Sequence, residues 1–228
     1  MASSQHFFPD RRQAGRMLAS RLMQFRDTNP LILALPRGGV PVAFEVAKAL
    51  DAELDLLMVR KLGAPGYAEL GIGAVVDGAQ PQLVLNEPIV RQLAPSPNYI
   101  RAEMQRQLAE IERRREQYRH GRPPAEVTGR TVIVVDDGIA TGGTVRAALR
   151  GVRKNDPERL VLAVPVAPRD AIEALYAECD EVVCLLAPDP FRAVGLHYVD
   201  FAQTSDEEVI ALLQDAQHFG IRKLARQK

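Results

Sequence analysis

Five short runs of nearly uninterrupted apolar residues constrain this chain more than any other feature: 31–35 (LILAL), 54–59, 132–135 (VIVV), 160–164 and 182–186. A strand that is apolar on successive rather than alternate residues needs cover on both faces. Between the runs lie segments with apolar residues at helical spacing, 40–50 being the clearest. Strand and helix patterns in alternation predict an α/β fold, a doubly wound and mainly parallel sheet flanked by helices. In such sheets ligands gather outside the carboxyl ends of the strands.

The 228 residues read as one domain spanning 1–228, and 46% hydrophobic content supplies a sizeable core. Two stretches depart from the alternation. At about 74–120 the pattern is that of an insertion: a hairpin over 74–85 turning at Asp77-Gly78, then a long charged helix over 98–118. Ile100, Met104, Leu108 and Ile111 form one face of that helix, a candidate surface for a homodimer. Its run Arg113-Arg114-Arg115 is interleaved with Glu110, Glu112 and Glu116, which predicts a solvated face of ion pairs rather than an anion site. The second stretch, about 186–228, reads as a hood and a terminal helix opened by Ser205.

Several classes are disfavoured. Lys+Arg and Asp+Glu are equal at 29 each, so no basic excess points to nucleic acid. No apolar stretch is long enough to span a membrane, and residues 1–10 lack a basic-then-apolar leader. Cys179 and Cys184 sit among apolar neighbours and read as buried, reduced thiols, so a cytoplasmic location is expected. The four histidines are scattered without ligand spacing.

The chemistry concentrates at 132–144. The apolar run ends in Asp136-Asp137 and continues Gly138, Ile139, Ala140, Thr141, Gly142, Gly143, Thr144 into a helical pattern. Backbone N–H groups at such a helix start face an anion, and the threonines add hydroxyl donors. Gly138 and Gly143 have the spacing of a nucleoside-triphosphate loop, but Thr144 stands where that loop requires Lys. Carboxylates directly before an anion cradle make sense if they accept hydrogen bonds from hydroxyls next to the phosphate. A ribose 5-phosphate offers that arrangement, and charged acceptors also attract a divalent cation.

This segment resembles the 5-phosphoribosyl-1-pyrophosphate (PRPP) signature of the type I phosphoribosyltransferases over thirteen consecutive positions. The resemblance implies transfer of ribose 5-phosphate from PRPP to a nitrogen base or another small nucleophile, with release of pyrophosphate and with Mg2+. By it, Asp136 and Asp137 hold the ribose hydroxyls and are the candidate metal ligands, and 138–144 bind the 5-phosphate. Pro36, Arg37, Gly38 and Gly39, after the first apolar run, are similar to the family's pyrophosphate loop. Arg60-Lys61, after the second, is similar to the start of its mobile catalytic loop, so both are candidate catalytic residues. Phe191, Tyr198 and Asp200 are the acceptor-site candidates, faintly similar to the hood of purine salvage enzymes. The lysine with which those enzymes read the base is missing from Pro165-Val-Ala-Pro168-Arg169, so the resemblance does not point to hypoxanthine or guanine. The alternative is a non-catalytic PRPP sensor on the same fold. About thirty residues precede the first run, too few for a full helix-turn-helix domain, which favours the enzyme.

Overall fold

The computed structural model describes residues 8–78, 80–119 and 121–220; His6 and His120 lie outside them, as does the end of the expected terminal segment. In chain order the elements are α1 (Arg11–Arg21), β1 (Leu31–Ala34), α2 (Gly39–Leu50), β2 (Glu53–Leu56), β3 (Val59–Ala64), β4 (Tyr67–Val76), β5 (Gln82–Leu85), α3 (Glu87–Leu93) and α4 (Pro97–Arg119). They continue with β6 (Thr131–Val135), α5 (Gly143–Arg153), β7 (Arg159–Val166), α6 (Arg169–Leu175), β8 (Glu181–Leu186) and α7 (Asp206–Asp215).

Five strands form a parallel sheet in the order β2-β1-β6-β7-β8. Its two faces explain the continuous apolar runs. Ile32, Ala34, Ile133 and Val135 pack into the core that holds Val42, Ala43 and Val46 of α2. Leu31, Leu33, Val132 and Val134 turn the other way, towards Val145, Ala148 and Leu149 of α5. Successive strand residues point to opposite faces, so a strand buried on both must be apolar throughout. From β1 the chain winds outward to β2, and from β6 it winds the other way to β8. The order therefore reverses between β1 and β6, which is where a doubly wound sheet opens a crevice.

The run 54–59 is not one strand. Leu57 N still donates to Ala34 O at 2.9 Å, but Met58 O accepts from Asp77 N at 2.8 Å. The chain thus passes from the main sheet to a second, antiparallel one in the order β3-β4-β5. The expected hairpin is its β4–β5 half.

The long helix forms as α4, with Ile111 buried and Ile100, Met104 and Leu108 packed on the same core as α2. The stripe that suggested self-association thus packs in part within the chain, with Ile100, Met104 and Leu108 half-buried. Arg113 and Arg114 each reach Glu110 at 2.9 Å, and Arg115 reaches Glu112 at 2.9 Å, as the interleaved charges suggest. Ser205 caps α7, its Oγ accepting from Glu208 N at 3.1 Å. Cys179 and Cys184 are both unpaired thiols, and burial pushes Cys179 up to about 11. Among the described residues no helix is long and apolar enough to cross a membrane.

A small hood joins residues 8–9 to residues 197–200 over β7 and β8. Phe8 pairs in parallel with Tyr198, Phe8 N donates to His197 O at 2.8 Å, and Val199 N donates to Phe8 O at 2.8 Å. α1 starts just beyond, its Gln13 N capped by Asp10 Oδ1 at 2.6 Å.

Candidate functional site

The ends of β1 and β6 meet at the crevice. Leu35 N donates to Val135 O at 2.9 Å, so the loop 36–39 runs directly beside Asp136 and Asp137. The approach is close enough to require glycine. A Cβ on Gly38 would stand 2.0 Å from Asp137 Oδ2, and one on Gly39 would stand 2.8 Å from Val135 O. The Pro36–Arg37 peptide is cis. Arg37 is held from behind, its Nη1 lying 3.4 Å from Asp206 Oδ1 at the start of α7. The Tyr118 hydroxyl donates to the same oxygen at 2.5 Å. Burial and then this carboxylate push the Tyr118 phenol up to about 12.

The segment 138–144 divides by task. Ile139 is buried and its N–H donates to Val166 O at 2.9 Å. A Cβ on Gly138 would meet Val194 at 2.5 Å and Val166 at 2.9 Å. These two residues tie the loop to β7 and the hood. Ala140, Thr141, Gly143 and Thr144 face solvent, and a Cβ on Gly143 would meet nothing within 4 Å. Gly142, at φ 75°, makes the left-handed turn that starts α5. The first N–H groups of a helix have no partner within it, and the macrodipole adds positive potential there. The exposed part of the loop is thus the part shaped for an anion.

The acid pair is half-buried. Asp136 Oδ1 accepts from Asp137 N at 2.8 Å. Arg11 Nε lies 2.8 Å from Asp137 Oδ2, while its Nη1 donates to Ala202 O at 2.6 Å and its guanidinium sits 3.9 Å above the Phe201 ring. The Tyr198 hydroxyl donates to Asp137 O at 2.6 Å. Burial first, and the Asp137 charge second, hold the Asp136 carboxyl well above the usual carboxylate range. Burial also raises Asp137, against the pull of Arg11. Two like charges this close resist joint ionisation, so a cation or hydroxyl donors are welcome there.

Arg60 and Lys61 do not enter a loop together. Both lie within β3, where neighbours point to opposite faces. Arg60 Nε donates to Gln107 Oε1 at 3.1 Å, and Arg60 lines a hollow of about 80 Å³ with Pro36, Arg114 and Thr144. Lys61 lines the separate cleft of about 440 Å³ that Thr141 and Thr144 also border. The structure sets Gly38 and Gly39 against the acid pair and brings Pro36, Arg60 and Thr144 together at the neighbouring hollow, with Lys61 lining the outer cleft. Arg114 joins them, although the spacing of its charges marks it only as a solvated helix residue.

Of the acceptor trio, Phe191 and Tyr198 share one apolar cluster of the hood, while Asp200 stands apart at the surface. Tyr198 is buried against Phe8 and Phe201, with its hydroxyl spent on Asp137 O. Phe191 stacks on His197 at 5.7 Å, and Asp200 is exposed, its Oδ1 accepting from Ala202 N at 2.9 Å. Among the described residues no group of three or more His, Cys, Asp or Glu could hold a metal ion by itself. Two carboxylates are what the crevice offers.

A phosphoribosyl transferase domain model matches residues 10–200. Proteins named "Putative phosphoribosyl transferase" in two strains of Mycobacterium tuberculosis, CDC 1551/Oshkosh and ATCC 25618/H37Rv, are 49% identical to the chain over 210 residues. The match covers 92% of this chain and 47% of theirs, so the chain spans about half the length of those relatives. The crystal structure of TT1426 from Thermus thermophilus superposes with a TM-score of 0.81 at 46% identity, covering 92% of this chain and 98% of that one.

Proposed function

Because the chain belongs to the phosphoribosyl transferase family, we propose that it transfers ribose 5-phosphate from PRPP to a nitrogen base or other small nucleophile and releases pyrophosphate. One observation carries the reading: the Asp136-Asp137 pair, the open helix-start loop and the loop 36–39 converge at the switch point between β1 and β6. The 5-phosphate rests on the first N–H groups of α5 with the Thr141 and Thr144 hydroxyls. The ribose hydroxyls donate to the acid pair, chiefly to Asp136, because Arg11 occupies Asp137 Oδ2. Pyrophosphate lies along 36–39, where Arg37 and Arg60 offset its charge as the anomeric C–O bond breaks. The carboxylates favour the positive charge that develops on the ring, and the acceptor nucleophile then closes the new bond at the anomeric carbon.

Mg2+ fits this donor set as a substrate-borne ion: it commonly takes one or two carboxylates and completes its shell with waters and substrate phosphates. When bound, it neutralises charge on the diphosphate. The setting this reading implies is cytoplasmic nucleotide metabolism, in keeping with two unpaired thiols.

The test is calorimetry of Mg–PRPP with the wild type and with the Asp136→Asn, Asp137→Asn double variant. It is followed by pyrophosphate release against a panel of purine and pyrimidine bases. Unchanged affinity in the double variant rejects the ribose assignment. Tight binding without release against any acceptor replaces the enzyme by a PRPP sensor.

A further inference from the structure

A groove leads away from the phosphate loop along α5. It opens at Thr141, Gly143 and Thr144 as the cleft of about 440 Å³ and continues into a hollow of about 330 Å³ that shares Val84, Leu85, Glu87 and Arg150 with it. One wall is the second sheet with the start of α3; the other is α5. Arg146, Arg150, Arg153 and Lys154 follow one another at i, i+4, i+7 and i+8, so they share a helix face. From Thr144 to Lys154 the row runs roughly 15 Å at the rise of an α-helix. Lys61 lines the same cleft from β3.

These cations are anchored rather than cancelled. Glu178 Oε1 lies 2.6 Å from Arg150 and 3.9 Å from Arg146, and Asp180 lies 2.9 Å from Arg153. Lys154 Nζ donates to Leu83 O at 2.7 Å. Arg146, Arg150 and Arg153 on α5 and Lys154 just beyond it thus outnumber the carboxylates Glu178, Asp180 and, on the opposite wall, Glu87; the ion pairs hold the long side chains in place and lower the ordering cost of binding an anion. Val59, Ala74, Val84 and Leu85 give the groove an apolar lining. An apolar lining with a few placed polar groups is the composition of a small-molecule site.

The transfer proposed above needs none of this. Its 5-phosphate ends at the loop, and its diphosphate lies across Thr144 from the groove, beside Pro36 and Arg60. A ligand that continues outward from the 5-phosphate fits the groove. We propose that the groove is a subsite for a second phosphoryl group joined to the 5-phosphate and for the group it carries, so that the protein takes ribose 5-diphosphates such as nucleoside diphosphates. The inference rests on 141–144 being the 5-phosphate cradle, but not on phosphoribosyl transfer.

The experiment is calorimetric titration with AMP and with ADP, in EDTA. A nucleotide bound merely as reaction product contributes to both, so the ratio of affinities isolates the added phosphoryl group. ADP is expected to bind at least ten-fold more tightly than AMP. The Arg146→Met, Arg150→Met double variant should bring the ratio close to one, and Arg113→Met, on α4, should leave it intact. Leu85→Trp, which fills the groove without removing charge, should also lose the preference while keeping PRPP affinity; it serves alone if the double variant does not fold. Equal binding of AMP and ADP, no binding of either, or a preference that survives Leu85→Trp or the double variant overturns the proposal. Absence of PRPP binding or of pyrophosphate release in the wild type counts against the transferase and leaves the ADP-to-AMP ratio as it is.

Discussion

Arg11 and Asp137 lie 126 positions apart in the chain and 2.8 Å apart in space. Their side chains are 11% and 15% exposed, so the pair is shielded from the screening that makes surface ion pairs weak. Removing one partner of a buried pair leaves the other uncompensated, at about 3–5 kcal/mol, less here because Asp137 can take up a proton. Arg11→Met is expected to lower stability by about 2–4 kcal/mol at neutral pH. It should also weaken Mg–PRPP binding, since Asp137 then turns or protonates. Arg11→Lys keeps the charge but not the fork that also reaches Ala202 O, so it should fall between. Urea unfolding and calorimetry on the three proteins check this; equal stability in Arg11→Met removes the pair from the account.

Asp136 makes the stability of the fold depend on pH in an unusual direction. Burial and the neighbouring Asp137 charge raise its carboxyl above the unfolded value. The folded chain therefore binds that proton more tightly than the unfolded one. The resulting stability is present in full below an ordinary carboxylate pKa of about 4 and is lost as pH rises through the raised folded value. Asp136→Asn should be more stable than the wild type near pH 7, with the gain fading towards pH 4, while Mg–PRPP affinity falls at least ten-fold. Thermal unfolding of both proteins across that range measures it, and a difference that does not change with pH contradicts the assignment.

Two glycines should separate fold from ligand. Gly38→Ala places a Cβ 2.0 Å from Asp137 Oδ2, an overlap that costs about 1–3 kcal/mol and displaces the acid. A Cβ on Gly143 meets nothing within 4 Å in the first turn of α5, so Gly143→Ala should hold or raise stability by up to about 1 kcal/mol. That same methyl stands in the cradle, and PRPP binding should weaken. Melting curves paired with titrations decide: a Gly143→Ala protein with full affinity would move the phosphate elsewhere.

Arg60 and Lys61 face opposite sides of β3, so they should part in function. Inhibition by inorganic pyrophosphate is expected to weaken about ten-fold in Arg60→Met, the loss of one charge-assisted contact of roughly 1.5 kcal/mol, and little in Lys61→Met. Equal effects from the two would mean that the strand rearranges when ligand binds.

What the chain discloses in sequence is what neighbouring residues decide. The two-faced strands, the Ser205 cap and the loop 138–144 each follow from a short stretch whose pattern has one physical reading. Arg60-Lys61 shows where that stops. The same letters fit a strand end or a strand interior, and it is the antiparallel pairing of Arg60 with Val75 and of Lys61 with Ala74 that places them inside β3. Tyr198 is an aromatic residue that sequence permits in an acceptor pocket; that its hydroxyl donates to Asp137 O and its ring packs on Phe8 has no local mark in the sequence. Arg11 carries no local mark at all, because its partners come from residues 137, 201 and 202. Asp206, which backs Arg37 from 169 positions away, is legible as a helix-start acid but not as a support for the crevice.

The parallel seam between Phe8 and Tyr198 joins residues 190 positions apart in the chain. Until the ribosome has released the segment through Ala202, Arg11 lacks the carbonyl and the ring that aim it, and Asp137 has no lasting counter-charge. A nascent chain halted after β8 can own the whole central sheet and the phosphate loop and still have no finished crevice. The crevice is thus completed late, only once the segment through Ala202 has joined residues 8–11.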